Sequence, residues 1–338
     1  MKTLVCTAPG NFRYDFAGEP ELLKDTAIIK IKRIGICGTD LHAYQGTQPY
    51  FTYPRILGHE LAGDLVALDN APGFSLGEAV TFIPYFNCGA CIACNTGKPN
   101  CCVNLKVCGV HIDGGMAEYL RIPSYALVHG DGLSYDELAL VEPLAIGAHG
   151  VARAGVKAGE FVLVLGAGPI GLGTIEFARI AGGRVIVIDV SENRLHFCKD
   201  ELGVAHTINP AIENAVERVR EITGNEMASV VIDATGNLNA INSGIAYLAH
   251  GGRYVLIGLQ KEAFSFSHPE FHKREATLMS SRNATRADFE NVKNSLKENL
   301  VKAKSFITHK TNFDNIKDEF ESWLDPSNGV IKAMVKIE

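Results

Sequence analysis

A chain of 338 residues is too long for a single hydrophobic core, so two domains are expected. It is 46% hydrophobic and 21% charged with a formal net charge of −6 and no basic stripe, which argues against nucleic acid as a partner. The absence of a charged-then-apolar leader or a membrane-length apolar run argues against a membrane partner and for a cytoplasmic protein with reduced thiols.

In chain order, "TAIIKIKRIGICG" from Thr26 and "ILGHELAGDLVAL" from Ile56 read as strands bounded by Gly turns. Between Asn87 and Cys102, the segment "NCGACIACNTGKPNCC" holds five of the nine cysteines. Cys88, Cys91, Cys94 and Cys102 form C-x2-C-x2-C-x7-C, and four thiolates satisfy a tetrahedral zinc with no open position. An iron–sulfur cluster uses the same donors, and the spacing preferences of structural sites favour zinc. Cys101 abuts Cys102 and fits the spacing less well; Cys6, Cys108 and Cys198 read as small buried hydrophobes.

From about Val141 the pattern changes to apolar strands alternating with helices, which implies a parallel sheet covered on both faces. Gly166, Gly168 and Gly171 form G-x-G-x-x-G between a strand and a helix, with Pro169 and Ile170 in the same turn. The turn frees backbone amides for a pyrophosphate at the helix N-terminus. Asp189 closes the next strand, "RVIVID", where a carboxylate accepts from a ribose hydroxyl and repels a 2′-phosphate. NAD is therefore expected over NADP, with Arg194 either at the adenosine end or on the helix surface. "ADFENVKNSLKENLV" and "NIKDEFESWL" read as helices, and "VIKAMVKI" as a closing strand. These signals divide the chain into a cofactor domain, residues 144–284, inserted into a β-rich domain made from residues 1–143 and 285–338.

A second set of metal-ligand types is dispersed: Cys37, Thr39, Asp40 and His42 in "GICGTDLH", His59 and Glu60 in "GHE", and Glu142 in "VEPLAIGAH". Singly, each has an ordinary structural reading. Together, Cys, His and carboxylate donors with room for water describe a catalytic zinc.

"GICGTDLH", "GHELAG", the cysteine loop, "DGGMAEY", "EPLA" and "GAGPIG" occur in the order found in zinc-dependent medium-chain dehydrogenases, and the likeness runs over nearly the whole chain. The "EPLA" element resembles the polyol and threonine dehydrogenase branch, in which a Glu stands where simple alcohol dehydrogenases have a Cys. The resemblance implies an α/β protein with a GroES-like catalytic domain and a Rossmann cofactor domain. It implies two zinc ions per chain, one held by Cys37, His59, Glu60 and Glu142 or some of these with water, the other by the cysteine loop. It further implies that Thr39 takes the substrate proton and His42 passes it on, that Arg282 in "SSRNAT" faces the substrate, and that the protein is a homodimer or homotetramer.

The metal has to carry the deprotonation. Zinc lowers the pKa of bound water from about 15.7 to about 7, on the order of 12 kcal/mol, whereas a lone base supplies roughly 3–5 kcal/mol. The expected reaction is hydride transfer to NAD from a secondary alcohol of a polyol, sugar or sugar acid. A zinc-free reductase of quinones or enones would leave Cys37, His59 and Glu142 idle, and a non-catalytic sensor would leave Thr39 and His42 without work.

Overall fold

The structure is a computed structural model that describes residues 1–48 and 51–338. It divides into two compact units, Met1–Glu142 with Thr285–Lys297 and Ala303–Glu338, and Pro143–Ala284 with Glu298–Lys302. Among the described residues, no helix is long and apolar enough to cross a membrane.

The first unit is built on a seven-stranded sheet. Its path runs through Leu127–His129, Ala79–Phe82, Glu60–Leu68, Thr26–Gly35, Lys332–Lys336 and Ile307–Asn312, and Tyr119–Pro123 also pairs with Thr26–Gly35. Ile29, Ile31 and Ile34 of the long central strand are buried with Leu61 and Leu65 of its neighbour. Phe320 and Trp323 join the same core from the C-terminal part of the chain. The closing strand Lys332–Lys336 lies between two others, so it offers no open edge. "NIKDEFESWL" is not one helix: Ile316–Glu319 is α-helical, and the chain tightens into a 3-10 turn over Phe320–Leu324.

The second unit is a six-stranded parallel sheet of the Rossmann type. Numbered by chain order from Phe161–Leu165 to Thr277–Ser280, its strands lie 3-2-1-4-5-6. The first strand, central and apolar throughout, carries Val162, Leu163, Val164 and Leu165, all buried. The helix that opens at Arg286 stops at Lys297 rather than running on to Val301. The next residues belong instead to the parallel-sheet unit, where the Lys302 amide donates to the buried Glu176 carboxylate at 3.1 Å.

Candidate metal centres and cofactor turn

One end of the seven-stranded sheet gathers chemically active groups from three places in the chain. The central strand ends at Gly35, and Cys37 follows as the N-cap of helix Gly38–Gln45. Glu60 starts the neighbouring strand directly opposite Gly35, with His59 just before it. The donor atoms of Cys37, His59 and Glu60 all lie within 4.8 Å of one another. A zinc with bonds of about 2.0–2.3 Å bridges donors up to roughly 4.6 Å apart, so the set closes with small side-chain rotations.

Three further residues hold this cluster. Lys332, only 2% exposed, donates to both Glu60 oxygens at 2.6 and 2.7 Å and to the Ile36 carbonyl at 3.1 Å. Asp40 is fully buried; it accepts from the Cys37 amide at 2.9 Å and the Gly58 amide at 3.1 Å, and lies 3.9 Å from His59 Nδ1. Gly35 leaves room for the carboxylate, because a Cβ there would stand 2.3 Å from Glu60 Oε2. The buried His59 Nδ1 has no hydrogen-bond partner.

The electrostatics of the cluster call for a cation. Burial alone would lower the His59 pKa, yet Cys37, Asp40 and Glu142 push it well above its ordinary value. Burial pushes the Asp40 carboxyl up, with His59 opposing. Glu142, 4% exposed, is pushed up to about 7 by burial, with His59 opposing and Glu60 adding. A half-buried soft thiol beside a buried imidazole and a buried carboxylate forms a donor set that zinc fits.

The expected residues do not all converge. Glu142, in the first turn of helix Val141–Ala154, is outside the Cys37–His59–Glu60 set, and its carboxylate accepts from the buried Tyr85 hydroxyl. Thr39 and His42 lie on one face of helix Gly38–Gln45, Thr39 half-buried and His42 exposed with its Nδ1 3.1 Å from the Thr47 hydroxyl. Lys332 and Tyr85 have no signature in sequence, and Asp40 is visible there only as a member of the "GTD" motif.

The cysteine loop converges fully. The sulfurs of Cys88, Cys91, Cys94 and Cys102 lie within 4.8 Å of one another, and Cys101 stays outside, exposed. Cys91 and Cys94 sulfurs are 3.5 Å apart, far beyond a disulfide and near the ~3.8 Å expected between tetrahedral sulfurs on zinc. The Cys94 and Val103 amides draw the Cys91 thiol down to about 6. Cys102 stands at about 11: the Cys88 amide favours its thiolate, but burial and the neighbouring sulfurs outweigh that. Four thiolates repel one another until a cation sits among them, and zinc fits this set as well. Cys6, Cys108 and Cys198 are buried, as expected.

In the parallel-sheet unit, Gly166 adopts φ +95°, and a Cβ on Gly171 would stand 1.9 Å from the Gly166 carbonyl oxygen, so the turn closes only with glycine there. Gly168 caps helix Pro169–Ile180, with Pro169 at its first position and Ile170 next. An added Cβ on Gly168 would meet only Arg194 Nη1, at 3.8 Å, so this guanidinium lies beside the open helix terminus where a phosphate fits. Asp189 accepts from the Ala167 amide at 2.7 Å and the Ser191 amide at 2.8 Å. A carboxylate has about four lone-pair sites, so two are left for ribose hydroxyls, and the turn fits a dinucleotide. Arg282 is exposed and follows strand Thr277–Ser280 at its C-terminal end, the side on which such sheets bind ligands.

Residues 24–131 match the family model described as alcohol dehydrogenase GroES-like domain, and residues 169–298 the one described as zinc-binding dehydrogenase. The L-galactonate-5-dehydrogenase of Escherichia coli strain K12 is 41% identical over 336 residues, 99% of this chain and 98% of the relative. The sorbitol dehydrogenase of Halalkalibacterium halodurans is 34% identical over 316 residues, 91% of this chain and 92% of the relative. A short chain alcohol dehydrogenase of Escherichia coli CFT073, solved in complex with the cofactor NADH, superposes with a TM-score of 0.92 at 28% identity, covering 100% of this chain and 99% of that one.

Proposed function

Given that the chain belongs to the zinc-binding alcohol dehydrogenase family, we propose that it oxidises a secondary hydroxyl of a sugar acid, with L-galactonate the first candidate. It is an oxidoreductase of a CH–OH group working with zinc and a nicotinamide dinucleotide. The observation that carries the reading is the meeting of the half-buried Cys37 with the buried His59 and Glu60, fixed by Lys332 and Asp40.

These three residues would hold the catalytic zinc, and Cys88, Cys91, Cys94 and Cys102 the structural one. When bound, the catalytic ion supplies Lewis acidity, the effect that takes water from a pKa of about 15.7 to about 7, and the nicotinamide supplies the hydride acceptor. The Thr39 hydroxyl accepts the substrate proton while handing on its own, and the exposed His42, one helical turn on, releases a proton to water. Asp189 selects NAD by accepting from the ribose, while Gly166, Gly168, Pro169, Ile170 and Gly171 carry the pyrophosphate beside Arg194. Arg282 grips the substrate carboxylate in two charge-assisted bonds. Four thiols kept reduced for a metal support a cytoplasmic setting. The open edge at Thr277–Ser280 supports a homodimer or homotetramer, which light scattering measures.

The test is a screen of zinc-loaded protein against aldonates and alditols, with NAD⁺ and NADP⁺ side by side, read by reduced-nicotinamide absorbance. One charge-assisted bond of about 1.5–3 kcal/mol predicts a kcat/KM for L-galactonate about 10-fold or more above that for sorbitol. A flat trace across the panel overturns the assignment, and an equal response to alditols overturns the sugar-acid part.

A further inference from the structure

Two carboxylates compete for the neighbourhood of the Cys37–His59 pair, and each is tied to a different partner. Glu60, whose oxygen belongs to the converging donor set, is gripped by Lys332 through both oxygens. Glu142 is outside that set, buried, and tied through Oε1 to the Tyr85 hydroxyl. Tyr85 is itself 5% exposed, and its ring meets the Phe289 ring edge-on at 6.4 Å. It lies on the short strand Tyr85–Phe86, which leads into the cysteine loop and pairs antiparallel with Lys106–Val107, where the chain leaves that loop. The tyrosine is therefore clamped at the base of the four-cysteine loop, and its hydroxyl reaches the carboxylate beside the other cluster.

Resting on the reading of Cys37, His59 and Glu60 as a zinc centre, we propose that Tyr85 is a positioning residue that holds Glu142 next to this centre but out of its ligand shell. With the tyrosine in place, the fourth position stays open for the substrate hydroxyl. Without that hydroxyl, Glu142 loses the donor that ties it aside, and a zinc at the neighbouring cluster, which displaces the proton of a carboxyl it binds, draws it in as a ligand.

The experiment uses the full-length holoenzyme with cobalt exchanged for zinc, because the visible bands of cobalt report its ligands independently of turnover. Tyr85→Phe, which removes one oxygen and keeps the ring, is expected to alter the visible spectrum and to tighten cobalt binding at the non-cysteine site by about 10-fold, the scale on which partners of metal ligands act. In a Glu142→Gln background the same Tyr85→Phe change is expected to do neither. An unchanged spectrum and affinity in Tyr85→Phe overturn the proposal, as does an equal effect in both backgrounds, which would mark a general loosening of the fold. Wild-type protein that takes up cobalt at the four cysteines alone overturns the zinc-centre reading and this proposal together, and the wild-type sample by itself identifies that case.

Discussion

Gly35 has no side chain, yet it decides where Glu60 can stand. A methyl group there would overlap a carboxylate oxygen that Lys332 already holds. Gly35→Ala is expected to rotate Glu60 off the cluster and weaken zinc retention by about 10–100-fold while leaving the fold intact. Zinc content after dialysis against a competing chelator measures this, and full retention refutes it. At this scale the sequence is only partly legible. Cys37, His59 and Glu60 stand out because each sits in a short contiguous motif. Lys332 and Tyr85 do not, because their partners lie 272 and 57 positions away and a lone lysine or tyrosine carries no local pattern. Asp189 is legible as a strand-end acid, but its two bonds to the amides of its own unit emerge only once the turn is folded.

Among the elements, the cofactor unit is readable where a buried strand is a continuous apolar run with a clear stop, as Phe161–Leu165 is before Gly166 and the run 185–188 before Asp189. The segment Ile316–Leu324 misleads for a comparable reason. Ile316, Phe320 and Trp323 have helical spacing and are all buried, but the chain tightens into a 3-10 turn from Phe320 onward before meeting Asp325 and Pro326. Asp136 ties three elements of the first unit together. In helix Tyr135–Ala139, it accepts from Arg33 Nε at 2.6 Å and Lys310 Nζ at 2.7 Å, on strands Thr26–Gly35 and Ile307–Asn312. Burial alone would raise its pKa, but the two cations outweigh it and hold the carboxyl below its usual range. Because the folded value is the lower one, the contribution to stability is full above the unfolded value of about 3.9 and disappears as pH falls through the folded value. Asp136→Asn is expected to cost about 1 kcal/mol near neutral pH. Urea midpoints should differ from wild type at about pH 7 and converge as the pH is lowered beyond the ordinary carboxylate range; a pH-independent difference rules out the ion pair as the cause.

In the molecule as a whole, both candidate zinc sites belong to the first unit and the dinucleotide turn to the second. Ligands that bind only the folded form stabilise what they touch, by about 2.7 kcal/mol at a hundredfold excess over Kd. Hydrogen exchange should therefore separate the two. A chelator is expected to speed exchange across residues 37–107 and leave 161–280 protected, whereas NADH is expected to protect 161–280. Equal loss across both stretches on chelation contradicts that division. The alternation of strand and helix makes the cofactor unit legible from sequence. That residues 298–302 belong to it is not legible, because Lys302 reaches the unit through long-range bonds, from its amide to Glu176 and from its Nζ to the Glu201 carbonyl.

The Lys332–Glu60 tie has a consequence for biosynthesis. Its two ends flank the whole Pro143–Ala284 stretch, so a ribosome must translate that entire insert before the lysine emerges to meet its carboxylate. The nucleotide-binding half can mature on the nascent polypeptide, while the chemistry-bearing half waits for its last strand. Until then Glu60 stands without the lysine that holds it, and the cluster around it is completed last.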